Sequence, residues 1–312
     1  MLDGMPEQRA RVAAIDCGTN SIRLLITDIG DGVKTDLLRE MRIVRLGQDV
    51  DRTRHLNAEA VERTLEATRE YAGLIDMFGV TDVRFCATSA VRDADNAAEF
   101  EDGVEQILGV RPIVLAGLDE ARASFLGATR DLAAERTVVV DIGGGSTEIV
   151  VGTGDVIESA VSLDIGSVRL TERFLAGDPA PVSEVTACMD HLDTVLAPAV
   201  AGLAPIGSFV GVAGTVTTVA AHSLALPSYD SAAIHLARLD LGDVSAACLS
   251  LVQMSVADRR RLPFMHPGRA DVIGGGALIL DRLIALLPLD TDTLVVSEHD
   301  ILDGIAWDMV TA

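Results

Sequence analysis

Short apolar runs at 11–17, 22–29, 82–88, 112–116, 137–142, 147–152 and 207–213 alternate with longer stretches in which apolar residues recur every three or four positions. The short runs predict strands. The longer stretches, at 58–78, 97–108, 118–130, 184–199, 242–253 and 271–286, predict helices. Alternation of the two predicts an α/β chain. The first long helix carries its own boundary chemistry. Asn57 stands where it should begin, with a side chain able to accept from the free amides of the first turn, and Gly79 stands where it should end, because glycine takes the left-handed terminal conformation without steric cost.

Two strand-like stretches follow one plan. "VAAIDCGTNSIRLLITDI" at 12–29 and "VVVDIGGGSTEIVVG" at 138–152 each run from apolar residues through an Asp to a glycine-bearing turn, a Ser/Thr step and a second apolar run. The repeat predicts two related halves, each opening with a hairpin. The connecting stretch 130–136 sets the expected boundary, with an N-terminal domain at 1–132 and a C-terminal domain at 133–312.

Composition narrows the picture. The chain has 312 residues, of which 49% are apolar, enough for two sizeable cores. Gly, Asp or Arg interrupts every apolar run before it reaches membrane-spanning length, and "MLDGMPEQRA" lacks the basic start and apolar core of a signal peptide. A soluble, cytoplasmic protein without a membrane partner is expected. Cys17, Cys86, Cys188 and Cys248 are scattered, with no C-x-x-C pair, which disfavours a zinc site or a disulfide framework. A net charge of −22 excludes broad nucleic-acid binding, which needs a basic face. A small or chain-like anion remains open if local positive groups and a divalent cation hold it.

The glycine turns supply such a holder. Backbone amides around Gly144 and Gly145 can converge on an anion, with hydroxyls from Ser146 and Thr147 beside them, and Thr19, Asn20 and Ser21 offer the same in the first turn. Asp141 and Glu148 flank the second turn and can hold a divalent cation directly or through its waters. Ordinary glycine hairpins with solvated acids would give the same letters. Arg92 follows the strand at 82–88, where open α/β sheets place ligands, and either grips phosphate or pairs with Asp93 or Asp95. Gly214 and Thr215 form a flexible strand-to-helix corner that suits an anion or simply tight packing. In the basic stretch "DRRRLPFMHPGRAD" at 258–271, Arg269 is the candidate phosphate contact. Arg259, Arg260 and Arg261 read as a solvated helix face, and His266 has no ligand partner at suitable spacing.

In order, "AAIDCGTNSIRLLI", "ATSAVRDADN", "LAGLDEARASFLGA", "VVVDIGGGSTEIVVG", "GVAGTVTTVAA" and "GRADVIGGGALIL" resemble the Ppx/GppA family of exopolyphosphatases and guanosine pentaphosphate phosphohydrolases, over roughly residues 11–285. The resemblance implies the actin-like ATPase superfamily: two ribonuclease-H-like domains flanking a central cleft, in the short form of the family. It implies Glu120 as the general base that activates water, with Asp119 as the neighbouring alternative, and tips Arg92 toward substrate. Removal of terminal orthophosphate from inorganic polyphosphate with Mg²⁺, or Mn²⁺ in its place, is the leading expectation. Hydrolysis of pppGpp to ppGpp uses the same chemistry. An ATP-dependent kinase and a binder of polyphosphate or alarmone without turnover are the rivals from other classes. A homodimer is compatible with the sequence, which carries no signal that sets oligomeric state. One departure stands in the tail, where Leu302-Asp303-Gly304 replaces the family's Arg-Glu-Gly turn.

Overall fold

The computed structural model describes residues 9–311. In chain order the first elements are β1 (Ala10–Cys17), β2 (Ser21–Gly30), β3 (Val33–Ile43), α1 (Val50–Thr53), α2 (Ala58–Phe78), β4 (Asp82–Ala87), α3 (Ser89–Arg92), α4 (Ala97–Leu108) and β5 (Ile113–Val114). There follow α5 (Gly117–Thr129), β6 (Arg136–Ile142), β7 (Thr147–Thr153), β8 (Val156–Leu163), α6 (Ser167–Phe174), α7 (Val182–Val200), β9 (Ser208–Val212), α8 (Ala213–Ser223) and α9 (Ser231–Ile234). The last are β10 (Arg238–Asp240), α10 (Leu241–Gln253), α11 (Val256–Arg259), α12 (Ile273–Leu286), β11 (Thr293–Val296) and α13 (Ile301–Thr311).

Two compact units result. One runs to Ala116 and resumes at Ile301; the other is Gly117–Asp300. In the first, the sheet order is β3-β2-β1-β4-β5, antiparallel through β1–β3 and parallel from β1 through β4 to β5. Alternate residues of β1 and β2 (Ala13, Ile15, Ile22, Leu24) join Phe85, Phe100 and Tyr71 in a core with α2 and α4. The intervening Val12, Ala14 and Leu25 are just as buried, and α13 packs against β1 and β2. α2 has the ends expected of it: Asn57 accepts from the amides of Glu59 and Ala60, and Gly79 turns left-handed at φ 65°.

In the second unit the order is β10-β11-β9-β6-β7-β8. Without the short edge strand β10, this is the order and strand sense of the first sheet. Both units therefore share one plan, as the hairpin repeat predicts, and it is the ribonuclease-H-like plan that the family resemblance implies. α5 covers one face, burying Ala121 and Phe125 against Val139, Val150 and Val210. The other face carries the large core, where Val138, Val140, Ile149 and Phe209 meet Leu192, Leu251 and Leu278.

The chain passes between units at 116/117 and 300/301 rather than at 132/133. The cause is packing. α5 lies on β6–β9 and belongs to their unit, whereas α13 returns to β1, β2 and β4. There Asp303, fully buried, accepts from Lys34 at 2.9 Å and Arg39 at 2.6 Å on β3, so the divergent tail turn is a structural anchor. All four cysteines are free and buried. Among the described residues, no helix is long and apolar enough to cross a membrane.

Candidate active site

The second unit draws three acids together. Asp141 on β6 and Glu148 on β7 are direct cross-strand partners, so the pleat projects both from one face of the sheet. α5 lies on that sheet and contributes Glu120 from its first turn. Asp141, Glu148 and Glu120 are 7%, 1% and 8% exposed, respectively. Burial, then the charge of Glu120, then that of Asp141 push the Glu148 carboxyl well above the ordinary glutamate range. Hydroxyls only partly offset this: Ser162 on β8, the next residue in the same cross-strand row, donates to Glu148 Oε1 at 2.7 Å, and Ser146 donates as well. Ser124 on α5 donates to Asp141 Oδ2 at 2.5 Å. Such a set, oxygen donors only, negatively charged and dry, fits a hard divalent cation, whose charge would offset their repulsion. Asp119, the alternative base, is exposed one position before Glu120.

Close approach of α5 depends on Gly117. A Cβ there would lie 2.6 Å from both Cβ and Oγ of Ser162. Only hydrogen at that position lets the helix start press onto β8 beside the Glu148 bond.

The glycine turn joins β6 to β7 immediately next to the acids. Its carbonyls are committed on one side: Gly143 O accepts from Ser167 N, Gly144 O from the amides of Val168 and Arg169, and Gly145 O from Arg169 Nε at 2.8 Å. In a trans peptide the N–H points opposite to the C=O. The amides of Gly144, Gly145 and Ser146 therefore face away from α6, which is the geometry of an anion cradle. Arg169, which fastens the turn, carries no sequence signal of that role. Thr147 departs from the expectation: fully buried, it donates its hydroxyl to Ile165 O at 2.7 Å and secures the lead-in to α6.

The corner at Gly214 and Thr215 opens α8 after β9, with Ala213 forced to a left-handed φ of 67°. The Arg269 guanidinium lies flat against Gly214, where an added Cβ would stand 2.5 Å from its Cζ. Two separately predicted contacts are thus one locus. Arg269 also reaches Thr218 Oγ1 at 3.5 Å, and Tyr229, unsignalled in sequence, stands beside it. Thr215 packs its side chain against Gly276 of α12. The arginine stretch needs a correction. Arg260 and Arg261 are exposed, but Arg259 is only 6% exposed and donates to Leu251 O, Val252 O and Ala270 O. It caps the last turn of α10, where free carbonyls and the helix dipole favour a cation.

The first unit groups its own candidates. Thr19 Oγ1 and Ser89 Oγ at the start of α3 lie 2.9 Å apart, and Asn20 has a buried Oδ1 without a hydrogen-bond partner. Ser21 O accepts from Gly18 N to close the turn. Arg92 ends α3, and Nη1 of its guanidinium donates to Leu115 O at 2.8 Å. Where Asp141 stands opposite Glu148, Asp16 stands opposite Arg23, which donates to its Oδ2 from Nη2 at 2.6 Å and Nε at 3.0 Å.

Comparison with known proteins places these two sheets in the Ppx/GppA phosphatase family. Residues 25–311 match that family, and the chain belongs to it. Among its relatives, exopolyphosphatase 2 of Mycobacterium tuberculosis is 47% identical over 311 residues, spanning 95% of this chain and 97% of its own. The crystal structure of a Ppx/GppA family member from Aquifex aeolicus matches with a TM-score of 0.83 at 33% identity, over 97% of this chain and 98% of that one. An exopolyphosphatase from Cytophaga hutchinsonii reaches 0.89 at 26% identity, over 96% and 98%.

Proposed function

We propose that this chain is an exopolyphosphatase, releasing terminal orthophosphate from inorganic polyphosphate with Mg²⁺ held by Asp141 and Glu148. The observation that carries this reading is the convergence of Glu120 with those two acids on one buried face, next to amides turned away from α6. Glu120 accepts a proton from the attacking water as its oxygen bonds to the terminal phosphorus. The anhydride bond breaks, and the shortened chain leaves with the bond's electron pair. When bound, Mg²⁺ supplies charge neutralisation for phosphate oxygens, and Mn²⁺ has the same ligand preferences. Gly144, Gly145 and Ser146 donate to the transferred group. Arg269 at the α8 corner, and Arg92 with the Thr19–Ser21 turn, hold phosphates. Relatives named exopolyphosphatase, one at 47% identity over nearly the whole chain, support the substrate class.

The test is phosphate release from polyphosphates of defined length, run beside pppGpp and ATP at fixed free Mg²⁺. Polyphosphate is expected to give the highest kcat/KM. Faster release from pppGpp would make this chain a guanosine pentaphosphate phosphohydrolase, and tight polyphosphate binding without turnover would make it a sensor.

A further inference from the structure

We propose that Asp131, His235 and His299 form a site for a late first-row divalent transition metal, Zn²⁺ above all, distinct from the carboxylate cluster. Each residue arrives from a different connection of the second unit. Asp131 lies just beyond α5, His235 directly after α9, and His299 between β11 and α13. One ligand atom from each lies within 4.8 Å of the other two.

His299 Nδ1 and Asp131 Oδ2 are 3.0 Å apart. The two imidazole rings meet with centroids 4.4 Å apart, inclined at 47°. Ligands on adjacent corners of a tetrahedral zinc lie about 3.3 Å apart when each bond is about 2.0–2.2 Å. The histidine–aspartate pair already has nearly that spacing, and His235 has only to close in.

Donor chemistry separates the two sites. Imidazole nitrogen suits Zn²⁺, Ni²⁺ and Co²⁺, whereas Mg²⁺ prefers oxygen alone. Two nitrogens and one carboxylate with a position left for water favour the transition metal; the buried all-carboxylate cluster favours the hard ion. Loading has a defined local consequence. His235 Nδ1 accepts from Glu298 N at 3.2 Å. Ligation through Nδ1 takes that lone pair, and ligation through Nε2 requires the ring proton on Nδ1, so either mode breaks the Glu298 bond. In exchange the metal fastens residue 299, one position before the chain leaves the second unit, to the connection that follows α5.

Cobalt provides the test, because four-coordinate Co²⁺ absorbs visible light far more strongly than six-coordinate Co²⁺ in an oxygen cage. The full chain is stripped with chelator, returned to excess Mg²⁺ and titrated with Co²⁺. One equivalent is expected to develop the four-coordinate bands, and Zn²⁺ is expected to bleach them. His235→Ala and His299→Ala should abolish the bands, Asp131→Asn should weaken Co²⁺ binding at least about tenfold, and Glu148→Gln should keep them. Zn²⁺ protection of both histidines from carbethoxylation in the unsubstituted chain supports the site without relying on a variant's folding. The site is refuted if no such bands form, if they survive both histidine substitutions, or if Glu148→Gln removes them while the histidine variants retain them.

Discussion

Glu120 and Asp119 are adjacent acids in one helical turn, yet only Glu120 is buried beside Asp141 and Glu148. Glu120→Gln keeps the shape and removes the basic oxygen, so kcat should fall by about 10²- to 10⁴-fold with polyphosphate affinity largely retained. Asp119→Asn should remain active. The reverse pattern in single-turnover assays would move the role to Asp119. Glu148 yields a prediction in pH. Its folded-state pKa stands well above the 4.5 of a free glutamate, so between 4.5 and that raised value the folded chain holds more protons than the unfolded one. Stability therefore declines as pH rises through this window. Melting curves in chelator from about pH 5 to about pH 8 should show Tm falling, Mg²⁺ should flatten the decline, and Glu148→Gln should raise the metal-free Tm at neutral pH. A metal-free Tm that climbs with pH in step with the variant's would show that the carboxylates do not repel one another.

At the scale of elements, Gly117 sets how near α5 comes to β8. Gly117→Ala puts a methyl 2.6 Å from Ser162 and should cost about 1–3 kcal/mol in urea unfolding. Activity should drop further than stability explains, since Glu120 and Ser162 shift together; full activity would mean that the helix has slack. Most elements were legible from apolar periodicity: the predicted strands and the six long helices all form, with ends moved by a few residues. β3 and β8 escaped because they are half-exposed, and β3 in particular interleaves charges that erase its alternation. The start of α8 was legible from the Gly214-Thr215 corner after β9, although "TVTTV" is rich in β-branched residues. In the site, the turns and acids were legible because they occur as contiguous motifs. Ser124, Ser162 and Arg169 were not, because each reaches its partner from another element at a separation that no local pattern encodes. Arg259 was misread for the same reason: its carbonyl partners lie on α10 and beyond.

For the molecule as a whole, the returning tail is a structural commitment. Asp303 is fully buried against Lys34 and Arg39, so Asp303→Ala removes the buried one of the two anions they share and leaves them only the more exposed Asp36. The first unit should lose about 2–3 kcal/mol, less than a wholly buried pair would cost because Arg39 stays partly solvated. Denaturant unfolding read at the single Trp307 on α13 checks this, and an unchanged midpoint would make the tail dispensable. The two sheets also differ in charge at one matching cross-strand position. Seven residues after its aspartate, the first hairpin places Arg23 and the second places Glu148. The first hairpin sets an arginine opposite its aspartate, and the second sets another acid there. Glu148→Arg should therefore give the second hairpin the charge balance of the first, so that the metal-free Tm at neutral pH rises while polyphosphate hydrolysis is lost.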